Sequence, residues 1–173
     1  MSILASWWNR LKLLRCHRVG AGATAWGRRP WIHGSGTVLL GRDVVLDGRQ
    51  APIELHASGV GVIEIGDGAI VRGGCSVEAT ARISIGNGCI LGPFVKVMDN
   101  PLHPLRNVRR AAIEVRIEEN VMIGPHSVLL PGSHVGAGAR IGAYSVISRR
   151  VPAGAFIAGN PPRHVRGAAP PRP

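Results

Sequence analysis

Residues 117–151 read IEENVMIGPHSVLLPGSHVGAGARIGAYSVISRRV, and the fold can be inferred from this stretch. It repeats every six residues: an aliphatic residue opens each hexad, and a small or slim residue follows four positions later. The aliphatic positions are Ile117, Ile123, Leu129, Val135, Ile141 and Ile147, and the small positions are Val121, Ser127, Ser133, Ala139, Ser145 and Val151. A period of six matches neither 3.6 nor 3.5, so the pattern excludes a helix.

The period has a direct meaning in strand geometry. Each hexad predicts one short strand and a corner, and three hexads make one triangular coil of about 18 residues. Successive coils stack about 4.8 Å apart, the usual spacing of hydrogen-bonded strands. The aliphatic residue points inward and stacks on its equivalent one coil away, and the small residue points inward near a corner. We therefore predict an all-β fold, a parallel β-helix.

An upstream block repeats the pattern, with inward positions at Ile65, Val71, Val77, Ile83, Ile85, Leu91 and Val97. Its phase slips by two residues between Ile83 and Ile85, which we interpret as a widened corner. Cys75 and Cys89 occupy the small inward position, so we predict that both are buried fillers. Between the two blocks, residues 98–116 break the repeat with two prolines and several charges, which predicts a protruding loop.

The chain thus divides into six segments. They are an amphipathic N-terminal helix (1–18), irregular first coils (19–60), β-helix coils (61–97), the loop (98–116), further β-helix coils (117–159) and a basic C-terminal tail (160–173). Residues 2–16 have two interpretations. The segment either caps the open first coil, as solenoid ends require, or contacts an anionic membrane surface through its tryptophans and arginines.

The composition limits the classes of partner. The 173 residues carry a formal charge of +11, which implies a phosphorylated cofactor, nucleic acid or an acidic membrane surface. We expect no nucleic-acid partner, because long basic runs, zinc-finger spacings and RNA-binding aromatic signatures are missing from the sequence. Three cysteines without metal-like spacing fit a reducing compartment. The expected location is the cytoplasm, with peripheral contact at the inner face of the membrane as an option.

Two segments resemble a known family. IGNGCILGPFVKVMDNPLHPLR (85–106) and the region from Ile117 to Arg166, which ends in AGNPPRHVR, are similar to the hexapeptide-repeat acyltransferases. The similarity is closest to maltose, galactoside and nodulation O-acetyltransferases and to polysaccharide-modifying relatives, and it covers residues 60–166. It implies a left-handed β-helix, acetyl-CoA as co-substrate without a metal, and a homotrimer with active sites between subunits. The implied acceptor is a hydroxyl of a sugar or polysaccharide precursor.

The resemblance also implies roles for residues. His103 in the LHP sequence matches the catalytic histidine of the family. Five residues fall where relatives contact coenzyme A: Ala143, Ser148, Arg149, Arg163 and Arg166. Arg72 stands where sugar-specific relatives use Asn to hold the acceptor, and Met122 stands where the family often has Trp. Asp99 has three candidate roles from its position: orienting His103, binding the acceptor or capping the loop.

The chemistry suits a general base. Imidazole has an unperturbed pKa of about 6.5, so His103 can take a hydroxyl proton near neutral pH. Two alternatives remain open: an N-acyltransferase acting on a nucleotide-linked amino sugar, and a non-catalytic scaffold in polysaccharide assembly. A zinc enzyme resembling γ-class carbonic anhydrase is disfavoured, because His103, His126 and His134 are separated by 23 and 8 residues and do not form a three-ligand pattern.

Overall fold

The computed structural model describes residues 11–100 and 112–165. This part of the chain consists almost entirely of short strands joined by tight corners. The strands in chain order are β1 (Arg18–Val19), β2 (Thr24–Gly27), β3 (Trp31–His33), β4 (Thr37–Leu40), β5 (Val45–Gly48), β6 (Glu54–Ala57), β7 (Val62–Ile65), β8 (Ile70–Arg72), β9 (Ser76–Ala79), β10 (Arg82–Ile85), β11 (Ile90–Leu91), β12 (Lys96–Met98), β13 (Val115–Ile117), β14 (Met122–Ile123), β15 (Val128–Leu129), β16 (His134–Val135), β17 (Arg140–Ile141), β18 (Val146–Ile147), β19 (Arg150–Val151), β20 (Phe156–Ala158) and β21 (Arg163–His164).

Every third strand joins the same sheet, so the chain winds around a triangular prism. Face 1 has the order β1-β4-β7-β10-β13-β16-β19, face 2 the order β2-β5-β8-β11-β14-β17-β20-β21, and face 3 the order β3-β6-β9-β12-β15-β18. All neighbouring strands are parallel except β20 and β21. The prediction of a parallel β-helix is confirmed. We name the corners 1–2, 2–3 and 3–1 after the faces they join.

The interior of the prism is filled by the residues that the hexads predict. The aliphatic positions of both blocks are buried, and the small positions lie beside them near the corners. Ser127 and Ser145 are buried too, and their hydroxyls donate to the carbonyl of Gly142. Burial raises the pKa of the Cys75 thiol to about 12 and that of Cys89 to about 11. The prediction that these two cysteines are buried fillers is confirmed.

The phase slip was predicted incorrectly. Ile83 and Ile85 lie in the same strand, β10, and both are buried. In β7, the preceding strand of face 1, Ile63 and Ile65 are likewise both buried. A four-residue strand has two inward positions because side chains alternate between its faces. The two extra residues therefore lengthen a strand of face 1 and do not widen a corner.

The first coils are longer than the regular ones. Val45 pairs with Ile70, 25 residues later, whereas Met122 pairs with Arg140 after 18 residues. Below the first coil, Leu13 is buried in the core.

Two residues of the predicted N-terminal helix, Leu11 and Leu14, are exposed. Residues 1–10 of the predicted segment lie outside the described part. Within residues 11–100 and 112–165, the chain has no helix with the length and apolar character that a membrane crossing requires.

Candidate active site

An open groove of about 650 Å³ runs along the outside of face 2. Its floor is a row of outward-facing side chains, one from each successive coil. The row is aligned because the strands are in register: Ile90 pairs with Met122, Met122 with Arg140, and Arg140 with Phe156. Corner 2–3 forms one rim and corner 1–2 the other. The rim residues are Pro93, Pro125 and Ala143 on one side and Gly138 and Gly154 on the other. The groove is therefore parallel to the axis of the prism and spans several coils.

The second outward position of face 2 explains where the groove begins. In the first three coils this position holds Trp26, Asp47 and Arg72, which are in register. In the next three coils it holds the glycines that line the groove: Gly92, Gly124 and Gly142. At Gly124, an added Cβ would lie 2.5 Å from the backbone nitrogen of Ala143 in the next coil. Close stacking of coils thus excludes side chains here, and the missing side chains open the groove.

The groove ends at Arg72, beside a polar pocket that contains Arg49. Arg72 lines both the groove and a neighbouring pocket of about 210 Å³. In that pocket, the Arg49 guanidinium contacts the Asp47 carboxylate at 2.7 Å and lies 5.3 Å from the centre of the Trp26 ring. The hydrogen bond from Arg49 is the main cause that lowers the pKa of Asp47.

The groove itself is cationic. Among residues 11–100 and 112–165, no carboxylate lies within ion-pair distance of Arg72 or Arg140. An apolar floor with the guanidinium groups of Arg140 and of Arg72, which stands beside Asp47, suits an elongated ligand that carries phosphate or carboxylate groups.

The structure separates the residues predicted to bind the cofactor. Ala143 lines the groove, whereas Ser148 and Arg149 are exposed at corner 3–1, between β18 and β19. Arg163 is exposed in β21, the outermost strand of face 2. Arg166 lies outside the described residues. Within one chain, the groove therefore brings together Ala143 and Arg72, but not Ser148 or Arg149.

Asp99 is fully buried at corner 3–1. Its Oδ1 accepts hydrogen bonds from the backbone N–H of Thr80 at 2.8 Å and from the Thr80 hydroxyl at 3.0 Å, and its Oδ2 accepts one from the backbone N–H of Ala81 at 2.8 Å. These contacts favour the loop-cap interpretation over acceptor binding, because a buried carboxylate with both oxygens engaged has little capacity for a ligand.

The proposed catalytic residue, His103, lies in residues 101–111, outside the described part. The strands on either side of this segment are described: β12 ends at Met98 on face 3, and β13 begins at Val115 on face 1. The segment therefore leaves and rejoins the prism at corner 3–1. In a triangular prism this corner lies opposite face 2, so the groove and the attachment of the loop are on opposite sides of one chain.

Two histidines considered in the zinc alternative have other partners. The His134 ring bonds Glu118 at 2.7 Å, and this bond is the main cause that lowers the pKa of Glu118. His126 stacks between Phe94 and Tyr144. In the described ranges, 11–100 and 112–165, no group of three His, Cys, Asp or Glu side chains is arranged to hold a metal ion.

Residues of the groove and of the neighbouring corner 2–3 were not predicted from the sequence. Arg140 directly precedes the inward Ile141, so strand alternation could have placed it on the outside of face 2. Phe94, His126 and Tyr144 each stand three positions after an inward aliphatic residue, and this recurrence could have shown that they align at one corner. No signal in the hexads indicated that face 2 would carry the groove, because all three faces share the same inward pattern.

The sequence of this chain is similar to those of known transferases. The bacterial transferase hexapeptide family model, which has six repeats, matches residues 114–149. Nodulation protein L of Rhizobium meliloti is 39% identical over 111 residues, which cover 61% of this chain and 59% of that protein. The chain is therefore similar to hexapeptide-repeat transferases, and the family model matches its second block of hexads. The family resemblance drawn from the hexads and the His-Pro loop is confirmed. The chain spans about half the length of the curated relatives it matches.

Solved structures share the fold of this hexapeptide-repeat chain. A single-residue mutant of AntD, an N-acyltransferase from Bacillus cereus solved with dTDP and coenzyme A, superposes with a TM-score of 0.72 at 18% identity, covering 93% of this chain and 89% of that one. The hexapeptide-repeat acetyltransferase VCA0836 of Vibrio cholerae, solved with acetyl-coenzyme A, has a TM-score of 0.65 at 21% identity, covering 96% and 79%. At these identities the likeness establishes the fold.

Proposed function

We propose that this protein is an acetyl-CoA-dependent O-acetyltransferase that modifies a hydroxyl of a sugar or polysaccharide precursor. The observation that carries the proposal is the groove on face 2. Its apolar floor matches an extended pantetheine arm, and Arg140 matches the charge of a phosphorylated cofactor. From β8 to β20 the groove crosses four strand spacings, about 19 Å in all, which is a length suited to an extended arm.

Similarity to known proteins supports the choice of cofactor. The Vibrio cholerae acetyltransferase was solved with acetyl-coenzyme A, and AntD with coenzyme A. Nodulation protein L is a relative by sequence. The net charge of +11 agrees with an anionic co-substrate.

In the proposed reaction, the imidazole of His103 takes the proton of the acceptor hydroxyl as the oxygen attacks the thioester carbonyl carbon. The tetrahedral oxyanion is stabilised by a neighbouring N–H or hydroxyl donor. The carbon–sulfur bond then breaks, and the leaving thiolate receives the proton from the imidazolium. The products are the acetyl ester and free coenzyme A, and no acyl-enzyme forms.

The position of the loop supports a site shared between subunits. The groove on face 2 and the attachment of residues 101–111 at corner 3–1 lie on opposite sides of one chain. In a homotrimer, the loop of one subunit can reach the groove of the next, so that His103 and the cofactor come together between two subunits. The same arrangement would allow Ser148 and Arg149 of one subunit to contact a cofactor bound against Ala143 of its neighbour.

The test measures release of coenzyme A from acetyl-CoA over a panel of sugars, polysaccharide precursors and nucleotide-linked amino sugars. His103→Ala should lower turnover at least ~10²-fold with an unchanged circular dichroism spectrum. His56→Ala, on the outside of face 3, is the matched control and should retain activity. Transfer only to amino sugars would favour N-acylation, and wild-type protein that binds no coenzyme A by calorimetry would leave the scaffold alternative.

A mixing experiment tests whether two subunits share the site. Met122→Glu places a negative charge on the groove floor and should abolish activity by repelling the cofactor. Hybrids of His103→Ala and Met122→Glu subunits should recover activity, since some interfaces then combine an intact groove with an intact histidine. Hybrids as inactive as either parent would contradict a shared site.

A further inference from the structure

Three aromatic rings form a column at corner 2–3. The Phe94 and His126 rings lie 5.0 Å apart with an angle of 10° between their planes, and the His126 and Tyr144 rings lie 4.8 Å apart at 3°. The three residues come from successive coils, so the ring spacing follows the spacing of the coils. Phe94 and Tyr144 are both exposed, and Tyr144 retains 68% of its accessible surface.

The backbone of this column is unusual. Five non-glycine residues of the described chain have positive φ: Asp43, Phe94, Asn120, His126 and Tyr144. Asp43 and Asn120 lie at corner 1–2, and short polar side chains of this type tolerate the left-handed region. A phenylalanine and a tyrosine do not share that tolerance, and glycine would satisfy the same corner without strain. Strained residues that persist where a simpler residue would serve point to a function of their side chains.

The column lies on the rim of the groove. Ala143 lines the groove, and Tyr144 is the next residue. The His126 ring covers one face of the Tyr144 ring, and the high exposure of Tyr144 leaves the rest of the ring open to solvent.

Arg163 lies at the same end of face 2. The backbone N–H of Gly159 donates to the Ser145 hydroxyl at 2.9 Å, and the backbone N–H of Val146 donates to the Gly159 carbonyl at 3.3 Å. These two bonds fix the turn that leads into β21 against the corner that carries Tyr144. Arg163 opens β21 and pairs with Ala158 of β20. The open ring of Tyr144 and the guanidinium of Arg163 therefore belong to neighbouring segments at the C-terminal end of face 2.

We propose that the open face of Tyr144 stacks on a purine base, the adenine of the cofactor, while Arg163 meets the phosphates attached to its ribose. This inference rests on the proposed function, and it fixes the direction of the cofactor in the groove. The adenosine end lies beside Tyr144 and β21, and the thioester end lies toward Arg72. A planar base suits this position because it extends an existing stack of nearly parallel rings.

The experiment compares the affinities of coenzyme A and pantetheine, measured by calorimetry, for wild-type protein and Tyr144→Gly. Since φ is 57° at this residue, glycine relieves strain, and the thermal midpoint should stay or rise. Loss of base stacking should raise the Kd for coenzyme A about 10-fold and leave the Kd for pantetheine unchanged, because pantetheine has no base. Tyr144→Phe keeps the ring and should restore most of the affinity for coenzyme A.

Asp43→Gly is the matched control: it removes a side chain at a similar φ of 54° on corner 1–2 and should leave both affinities unchanged. Equal Kd values for coenzyme A in wild-type and Tyr144→Gly would overturn this inference alone. A raised KM for the acceptor without a change in coenzyme A affinity would also overturn it, and would assign the column to the acceptor. Wild-type protein that binds no coenzyme A would refute the proposed function and this inference together.

Discussion

Replacing Asp99 with Asn changes a buried hydrogen-bond network by one atom. The wild-type carboxylate accepts three hydrogen bonds, two from Thr80 and one from Ala81, and has no exposed surface. In the variant, an NH₂ group replaces one carboxylate oxygen. Wherever the amide points, its nitrogen faces a backbone N–H, and two donors meet.

The cost can be estimated from these contacts. One buried backbone N–H without an acceptor costs about 1–3 kcal/mol. The remaining bonds lose their charge assistance, which is worth roughly 1 kcal/mol in a bond to a charged group. We therefore expect Asp99→Asn to lower the free energy of unfolding by about 2–4 kcal/mol. Thr80→Val removes only the hydroxyl donor and should cost about 1 kcal/mol.

Urea unfolding followed by circular dichroism, at one fixed protein concentration, measures both values. The KM for the acceptor is measured in parallel, under conditions where each variant is folded. A structural cap predicts a loss of stability with an unchanged KM. A change of stability below ~0.5 kcal/mol together with a raised acceptor KM would refute the reasoning, since a ±0.5 kcal/mol effect is typical of surface sites.

Two further predictions concern the corners and the outer surface. Gly124→Ala should lower the free energy of unfolding by about 3 kcal/mol or more, because the added Cβ meets backbone atoms of the next coil at 2.5–2.9 Å. At Gly138, no atom lies within 4 Å of an added Cβ, so Gly138→Ala should cost only the strain of φ +65°, about 1–2 kcal/mol. If urea unfolding gives equal losses of stability for the two variants, the close approach of the coils at Gly124 does not matter. The pKa of Glu118 is lowered in the fold, first by its bond to His134, so the stability it contributes is present above its ordinary value of 4.5 and lost as the pH falls through the lower folded value. Glu118→Gln should therefore make the thermal midpoint less sensitive to pH below 4.5, and parallel pH profiles for the two proteins would show that the pair does not matter.

The interior of the prism could be predicted from the sequence almost residue by residue. A stacked coil has room for one aliphatic and one small side chain in each hexad. An aliphatic residue therefore recurs at every sixth position of the sequence. Ile117, Ile123 and Leu129 are buried as expected. The phase slip at Ile83 was misread because an extra pair of residues has the same periodicity in a long strand as in a wide corner.

The outer surface was less predictable, because the packing of side chains in the core does not constrain it. Ser148 and Arg149 follow an inward aliphatic residue of a hexad, as Ala143 does. The structure nevertheless places them at a different corner. Asp99 could be given three roles from sequence. Only the distances to Thr80 and Ala81 favour one of them, since its partners lie 18 and 19 residues earlier in the chain.

In this repeat fold, the site arises where successive coils differ in their outward side chains but keep the same inward ones. On face 2, the outward row changes from Trp26, Asp47 and Arg72 to three successive glycines, while the inward row continues without interruption. Removing side chains costs the core nothing, so a groove can open without weakening the prism. The same logic applies to the aromatic column, where side chains are added at a corner that glycine could occupy. Positions on the outside of the prism, whose side chains do not fill the core, are therefore the positions at which members of this fold can differ in what they bind.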